Sequence, residues 1–483
     1  MNDWVHLFAL ELAVAALGTT VLLADAAWPL RTRALGYLTG AGLLSILAAS
    51  FVIDGAGEAP FGAYEGSAWS LYFKRVLVSA AFLGVLGAVD WLHDATPRRQ
   101  AEYYALMLYS LCGMMALPGA RDWVLFVVAF ELMGIPLVAL AAWAKHDAVN
   151  AGAGPKLAAE AALKLFVTSA VSSSVTLFGL ALVTGLSGST SMLAPAPAAT
   201  SALYTVGLLM VLGGVAFKVG AVPFHFWVPD TYQGAPMPFV AFLSVAPKAA
   251  GLAGLAVVLL KSFGAQSSVW VPALGFVAGS SMWVGNMFAL PQTDVRRLLG
   301  FSGIAQIGYV LLAFLAHSTQ SLSMALFFIA TYVFTNMGVF FVAHAAATGN
   351  MGSDLGTLAG LSRRAPALGA ALLVFLLSLA GIPFVAGFWA KLFVFMAAWR
   401  AGFAGLVLLG ATLAVVGLFY YLSVARSTFM RDGASSESLP VAPPLAWAIG
   451  LCLFAVVGLG LWPSPLVEEA TRAASALSQT RLP

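Results

Sequence analysis

The stretch "AFKVGAVPFHFWVPD", residues 216–230, decides how the chain is read. It is apolar enough for lipid, yet it carries Lys218, interrupts its own helix at Pro223 and places His225 just beyond the interruption. Proline lacks an amide hydrogen and its ring collides with the preceding turn, so the helix cannot run through. A break at membrane depth frees backbone amides and carbonyls, and these are tolerated only where protein or trapped water satisfies them. A lysine at that depth adds roughly 2.5–3.5 kcal/mol of insertion penalty. A segment carrying both features belongs inside a helical bundle.

Composition agrees. Of 483 residues, 61% are hydrophobic and 9% charged, against about 25% charged in soluble domains; the mean hydropathy is +0.93. These values predict an all-α polytopic membrane protein whose surroundings are the lipid bilayer. A net charge of +3 is too sparse to indicate a nucleic-acid partner. Cys112 and Cys452 both lie in apolar runs, outside any CxxC or metal-ligand cluster, which argues against a disulfide framework, a zinc site or an iron–sulfur cluster in this chain. The start, "MNDWVHLFALELAVAALG", has no basic leader region and reads as a retained first helix.

At about 20 apolar residues per crossing, fourteen spans are expected: near 4–23, 34–53, 71–92, 103–119, 123–143, 158–185, 201–228, 238–260, 269–290, 298–316, 321–347, 367–399, 402–424 and 444–463. With the N-terminus outside, the inner loops hold 12 of the 23 Lys and Arg residues: Arg31, Arg33, Arg98, Arg99, Lys145, Lys156, Arg296, Arg297, Arg363, Arg364, Arg426 and Arg431. The outer side holds Lys74, Arg75, Arg121, Lys261, Arg400, Arg472 and Arg481. This bias places both termini outside.

A second stretch, "AGIPFVAGFW" at 380–389, echoes the first: an apolar helix, a glycine, Pro383 followed by Phe384, then aromatics, with Lys391 beyond. The two lie in the seventh and twelfth spans. An offset of five spans reverses orientation, so a five-helix unit repeated once is an inverted repeat. The expected division is 1–102 for three N-terminal helices, 103–262 and 263–426 for the repeats, and 427–483 for the fourteenth helix.

Within the spans lie Glu131, Lys164, Lys218, Lys248 and Lys391. Such groups must face protein or water, and a buried charge that changes protonation when a neighbour moves is what a proton relay requires. Water held at the broken helix could link Lys218 to His225, which titrates near neutral pH, and to Lys164 or Lys248. Two plainer readings stay open: Lys218 as a fixed ion-pair partner of Glu131, and Lys164 as the (i, i+4) partner of Glu160. Glu11 and Asp90, near span ends, are expected at the interface, and His317 and His344 as loop or packing residues.

These residues carry a resemblance. "FKVGAVPFHFWVPDTYQGAP" (217–236), "FLSVAPKAAG" (242–251), "FELMGIPLVAL" (130–140), "AEAALKLFVTSAVSSS" (159–174), "TDVRRLLGFSGIAQIGYVLLA" (293–313) and "LSLAGIPFVAGFWAKLFVF" (377–395) resemble the subunit N family of proton-pumping NADH:quinone oxidoreductase, respiratory complex I. The resemblance spans about 120–400. Subunit M and the Mrp-type cation:proton antiporters share the broken helices and the Glu/Lys pair. The sequence "TYQGAPMPFVAFLSVAPK" after the core, lysine rather than glutamate at 391, and the absence of an appended lateral helix favour subunit N.

The resemblance implies a non-redox, proton-translocating subunit of an enzyme in the bacterial inner membrane. FMN, iron–sulfur clusters and quinone would belong to partner subunits, and this chain would hold no cofactor or metal. It also implies that Glu131 couples to Lys218, Lys164 modulates them, Lys248 joins two half-channels and Lys391 serves the outward half. One position departs: where the family commonly has histidine, this chain has Gln306, which holds a water by hydrogen bonds but does not titrate.

Overall fold

A computed structural model describes residues 5–28, 33–53, 55–144, 155–194, 201–347, 354–433 and 438–479. Arg31, Lys145 and Arg481, counted above among the loop charges, lie outside them. The chain is a helical bundle: α1 (Ala9–Ala27), α2 (Ala34–Ala49), α3 (Ala68–Ala95), α4 (Gln100–Ala116), α5 (Trp123–Ala141), α6 (Pro155–Ser187), α7 (Ala202–Val219), α8 (Trp227–Gly234), α9 (Met237–Leu243), α10 (Ala246–Val257), α11 (Ser267–Ala289), α12 (Val295–Leu315), α13 (Thr319–Ala347), a short α14 (Leu361–Arg364), α15 (Pro366–Ala380), α16 (Ala386–Arg400), α17 (Ala404–Met430), α18 (Pro443–Leu461) and α19 (Ser464–Gln479). A two-residue antiparallel hairpin, β1 (Gly57–Glu58) and β2 (Glu65–Gly66), joins α2 to α3.

Among the described residues, eleven helical segments are long and apolar enough to cross a membrane. Three of the fourteen expected spans fall outside that count for a simple reason: α2 and α4 are short, and the twelfth span is cut into α15 and α16. Two of the starts carry aspartate side-chain caps. Asp122 Oδ1 accepts from Val124 N at 2.8 Å to open α5, and Asp294 Oδ1 accepts from Arg297 N at 2.9 Å to open α12, supplying acceptors for otherwise orphaned amides. The interior is built around α12, buried along its whole length, together with α13 and the α9–α10 segment.

The two broken spans close in the same way. Gly220 (φ 73°) and Gly381 (φ 87°) end α7 and α15 in the left-handed conformation that glycine adopts without strain. At the first, Ala221 N bonds Ala216 O at 2.9 Å and Gly220 N bonds Phe217 O at 3.0 Å; at the second, Ile382 N bonds Leu377 O and Gly381 N bonds Ser378 O, both at 3.0 Å. This is the Schellman pattern, and it stops each helix with its last carbonyls partly satisfied.

Two expectations are corrected. Glu11 and Lys74, read as separate charges near span ends, are both buried inside the bundle and joined at 2.9 Å. Lys74 Nζ also donates to Leu7 O at 3.1 Å, and Tyr64 hydroxyl donates to Glu11 at 3.2 Å. Burial, and then the Glu11 charge, push the Tyr64 phenol well above its ordinary range, so it stays a donor. A pairing between the first and third spans leaves no local signature in the sequence. Asp90, expected at the interface, meets Arg33 at 2.5 Å. The second correction is α19, a helix beyond the last expected span. It lays Ala470, Ala473, Ala474 and Leu477 inward against α3 and α13 and is tied by Glu469 to Arg75. Its apolar face is mostly alanine, which hydropathy underweights.

Removing one partner of a buried ion pair strands the other, at about 3–5 kcal/mol, whereas replacing both with apolar residues of similar size is far milder. Lys74→Met should therefore lower the melting temperature of the detergent-solubilised protein more than the Glu11→Leu/Lys74→Met double variant does. A double variant less stable than the single one would contradict the pairing.

Candidate functional site

The breaks place polar backbone in the bundle, and side chains meet it. At the first, Ser281 Oγ of α11 accepts from Val222 N at 2.9 Å, and Trp227 Nε1 donates to Phe217 O at 3.0 Å. At the second, Ser378 Oγ accepts from Gly387 N at 3.1 Å, and Lys391 Nζ donates to Leu379 O at 2.7 Å and Ala380 O at 3.1 Å. Pro223 and Pro383 thus lie in loops whose freed groups are held largely by protein. Lys391 stands at the C-terminal end of α15, where the helix dipole favours a cation, with its ammonium 4.8 Å from the Tyr309 ring centre.

Lys218 comes one turn before its break. Its ammonium lies 4.4 Å from the centre of the Phe130 ring on α5 and directly against Gly134. Neighbouring Glu131 acts on it through space, but no ion pair closes between them; Glu131 Oε1 instead accepts from Ser173 Oγ at 2.6 Å. The fixed-pair reading of Lys218 is not what the geometry provides.

Lys248 is 1% exposed. Its stem passes Gly220, and its ammonium lies beside Gly303 and the Tyr332 hydroxyl, where an added Cβ would stand 2.9 Å from Nζ. The ammonium meets no hydrogen-bond partner among the described residues. Beside it is a cavity of about 10 Å³ whose lining includes Lys248, Gln306 and Tyr332, close to the room one water needs. On its far side Gln306 Nε2 donates to Leu379 O at 3.0 Å, the same carbonyl that Lys391 holds. Gln306 and Lys391 thus share one backbone oxygen, and Lys248 lies beside Gln306 across the small cavity.

Two expected members stand apart. Lys164 is 43% exposed and binds Glu160 at 2.6 Å and Asp230 at 2.7 Å; Asp230 also takes Arg297 at 2.5 Å. It does not join the buried lysines. His225 is buried with its ring stacked on Phe226 at 4.5 Å, and among the described residues it makes no hydrogen bond or ion pair to any of these lysines. Sequence reasoning missed Tyr332 and Tyr421, which reach the Lys248 cavity and Gln306, and Ser281, which holds the first break; all three come from helices remote in the chain. Their only signal is a hydroxyl in an apolar span. Among the described residues no group of three His, Cys, Asp or Glu side chains is placed to hold a metal.

A membrane bundle with two matched helix breaks and unpaired buried lysines defines an antiporter-like protein. Residues 120–417 match the family model described as NADH:quinone oxidoreductase/Mrp antiporter, transmembrane. NADH-quinone oxidoreductase subunit N of Moorella thermoacetica is 37% identical over 97% of this chain and 98% of its own length; the subunit N of Rhodospirillum rubrum is 34% identical over 97% and 96%. A chain of respiratory complex I from Thermus thermophilus, with bound aureothin, superposes with a TM-score of 0.80 at 31% identity, covering 95% of this chain and 98% of that one. A chain of the Mrp complex from Dietzia shares the fold, with a TM-score of 0.86 at 20% identity over 99% and 98%. The chain belongs to the subunit N family of NADH:quinone oxidoreductase.

Exposed pairs contribute about 0–1 kcal/mol. Lys164→Ala should therefore shift the melting temperature far less than Lys74→Met does. Equal shifts would mean that Lys164 is as enclosed as Lys74.

Proposed function

We propose that this chain carries protons across the membrane as a non-redox subunit of NADH:quinone oxidoreductase, driven by quinone reduction in partner subunits. The observation that supports it is the line from Lys248 through the one-water cavity to Gln306, Leu379 O and Lys391. Among the described residues, Lys218, Lys248 and Lys391 have no carboxylate bonded to them, so each can lose its proton without stranding a buried anion. A change of charge near Glu131 alters the field at Lys218, and the proton leaves through Lys248 towards Lys391 and the outer side. Lys164, held by Asp230 at the surface of α6, acts on this line through its charge; His225 and Gln306 order water.

FMN, iron–sulfur clusters and the quinone site belong to partner subunits, as the absence of a dinucleotide fingerprint in a strand–helix context suggests. The other membrane subunits of the complex pack beside this chain, and Glu131, at the half-exposed face of α5 and α6, communicates with them. We assign fourteen crossings, two inverted five-helix repeats at 103–262 and 263–426 flanked by 1–102 and 427–483, and both termini on the periplasmic side of a bacterial inner membrane. The loop-charge bias supports that orientation.

Purification by a C-terminal tag tests the assignment: flavin and NADH:quinone reductase activity should accompany the chain. A chain that emerges only with membrane subunits and exchanges cations in vesicles would instead be an Mrp-type antiporter subunit. Within the assembled complex, Lys218→Met and Lys248→Met should each slow NADH-driven proton pumping by about 100-fold, the lower end of what a positioned proton-transfer group contributes. Normal pumping by either would exclude that lysine from the path. Gly303→Ala should push the Lys248 ammonium aside and slow pumping without reducing the amount of assembled complex; an unaffected rate would mean that the ammonium need not sit there.

A further inference from the structure

Gln306 cannot replace a titrating side chain, so its use depends on which way its amide faces. Leu379 O can only accept a hydrogen bond, so the nitrogen of Gln306 faces it, at 3.0 Å. The second N–H of that nitrogen reaches the hydroxyl of Tyr421, on α17, at 3.1 Å. The Tyr421 hydroxyl also shares a hydrogen bond with Ser302 Oγ at 2.6 Å. Ser302 and Gln306 lie one turn apart on α12, and both are buried with Tyr421. Both amide hydrogens are thus held away from Lys248, by Leu379 O and Tyr421, on a side chain that lines the Lys248 cavity.

We propose that Tyr421 is a positioning residue that fixes the Gln306 carboxamide with its oxygen towards the Lys248 cavity. The proposal rests on the relay reading above. A water in that cavity donates to the Gln306 oxygen and turns a lone pair to the Lys248 ammonium, so it is oriented as the acceptor of the Lys248 proton. Leu379 O alone would not hold this orientation through a cycle, because Lys391 competes for the same oxygen at 2.7 Å. Tyr421 is the contact that does not depend on the charge of Lys391. The neighbouring Tyr420 hydroxyl donates to Asn286 Oδ1 at 3.2 Å and also lies against the Tyr421 hydroxyl.

The test is a double-mutant cycle in inner-membrane vesicles carrying the whole complex. NADH-driven acidification and NADH oxidation are measured together, with NADH:ferricyanide activity as the gauge of assembly. Tyr421→Phe should slow pumping about fivefold, the effect of one neutral hydrogen bond, with the quinone KM unchanged. In a Gln306→Leu background, itself slowed, Tyr421→Phe should add nothing. An equal loss in both backgrounds would make Tyr421 structural and overturn the proposal, as would normal pumping by Tyr421→Phe beside an impaired Gln306→Leu; in either case the relay reading stands. Normal pumping by Gln306→Leu would remove the route through this position, and the proposal with it. Should Tyr421→Phe fail to assemble, Ser302→Ala removes the serine hydroxyl bonded to Tyr421. It should slow pumping about twofold in the native background and leave Gln306→Leu unchanged; an equal loss in both would again overturn the proposal.

Discussion

Backbone polar groups away from water must be paired, and the two helix breaks are where this obligation shapes everything else. Each break ends on a left-handed glycine, and each then hands its remaining groups to side chains from other helices: Ser281 and Trp227 at the first, Ser378 and Lys391 at the second. The difference between them is chemically important. An indole serves a carbonyl of the first break, an ammonium the carbonyls of the second. A cation that would be intolerable in lipid therefore satisfies backbone that would be equally intolerable alone. Gln306 enters through the same oxygen, so the second break is also the junction of the polar line.

The buried cations divide by what surrounds them. Lys74 has a carboxylate, a carbonyl and a tyrosine-held geometry around its ion pair with Glu11, an arrangement that fixes the charge and joins α1 to α3. Lys218 has an aromatic face and a glycine, Lys248 a small cavity, Lys391 two carbonyls. None of these three has an anion bonded to it. Burial alone does not distinguish Lys74 from these three; the closed counter-ion does.

Much of this was legible in the chain. Pro223 and Pro383 beside Gly220 and Gly381 gave away both breaks because helix termination is a local event, and scarce charge made Lys218, Lys248 and Lys391 conspicuous. The burial and pairing of Glu11 and Lys74 were missed because the pair spans 63 positions of chain, and neither residue's neighbours differ from those of an interfacial charge. Lys164 was counted with the buried set because hydropathy measures the segment and not the face: its side chain lies on the open side of α6. Tyr421 carried no signal in an apolar helix until folding brought it against Gln306.

The cavity between Lys248 and Gln306 has a further consequence. At about 10 Å³ it has room for roughly one water, so it is either filled or empty and has no graded hydration between. In the relay proposed above, conduction through such a point would be governed by occupancy, much as a bead-wide constriction is governed by whether the bead is in place. Within this line the step most sensitive to dehydration, or to a methyl group's worth of repacking in α10 or α12, is this one, whichever lysine carries the charge at that moment.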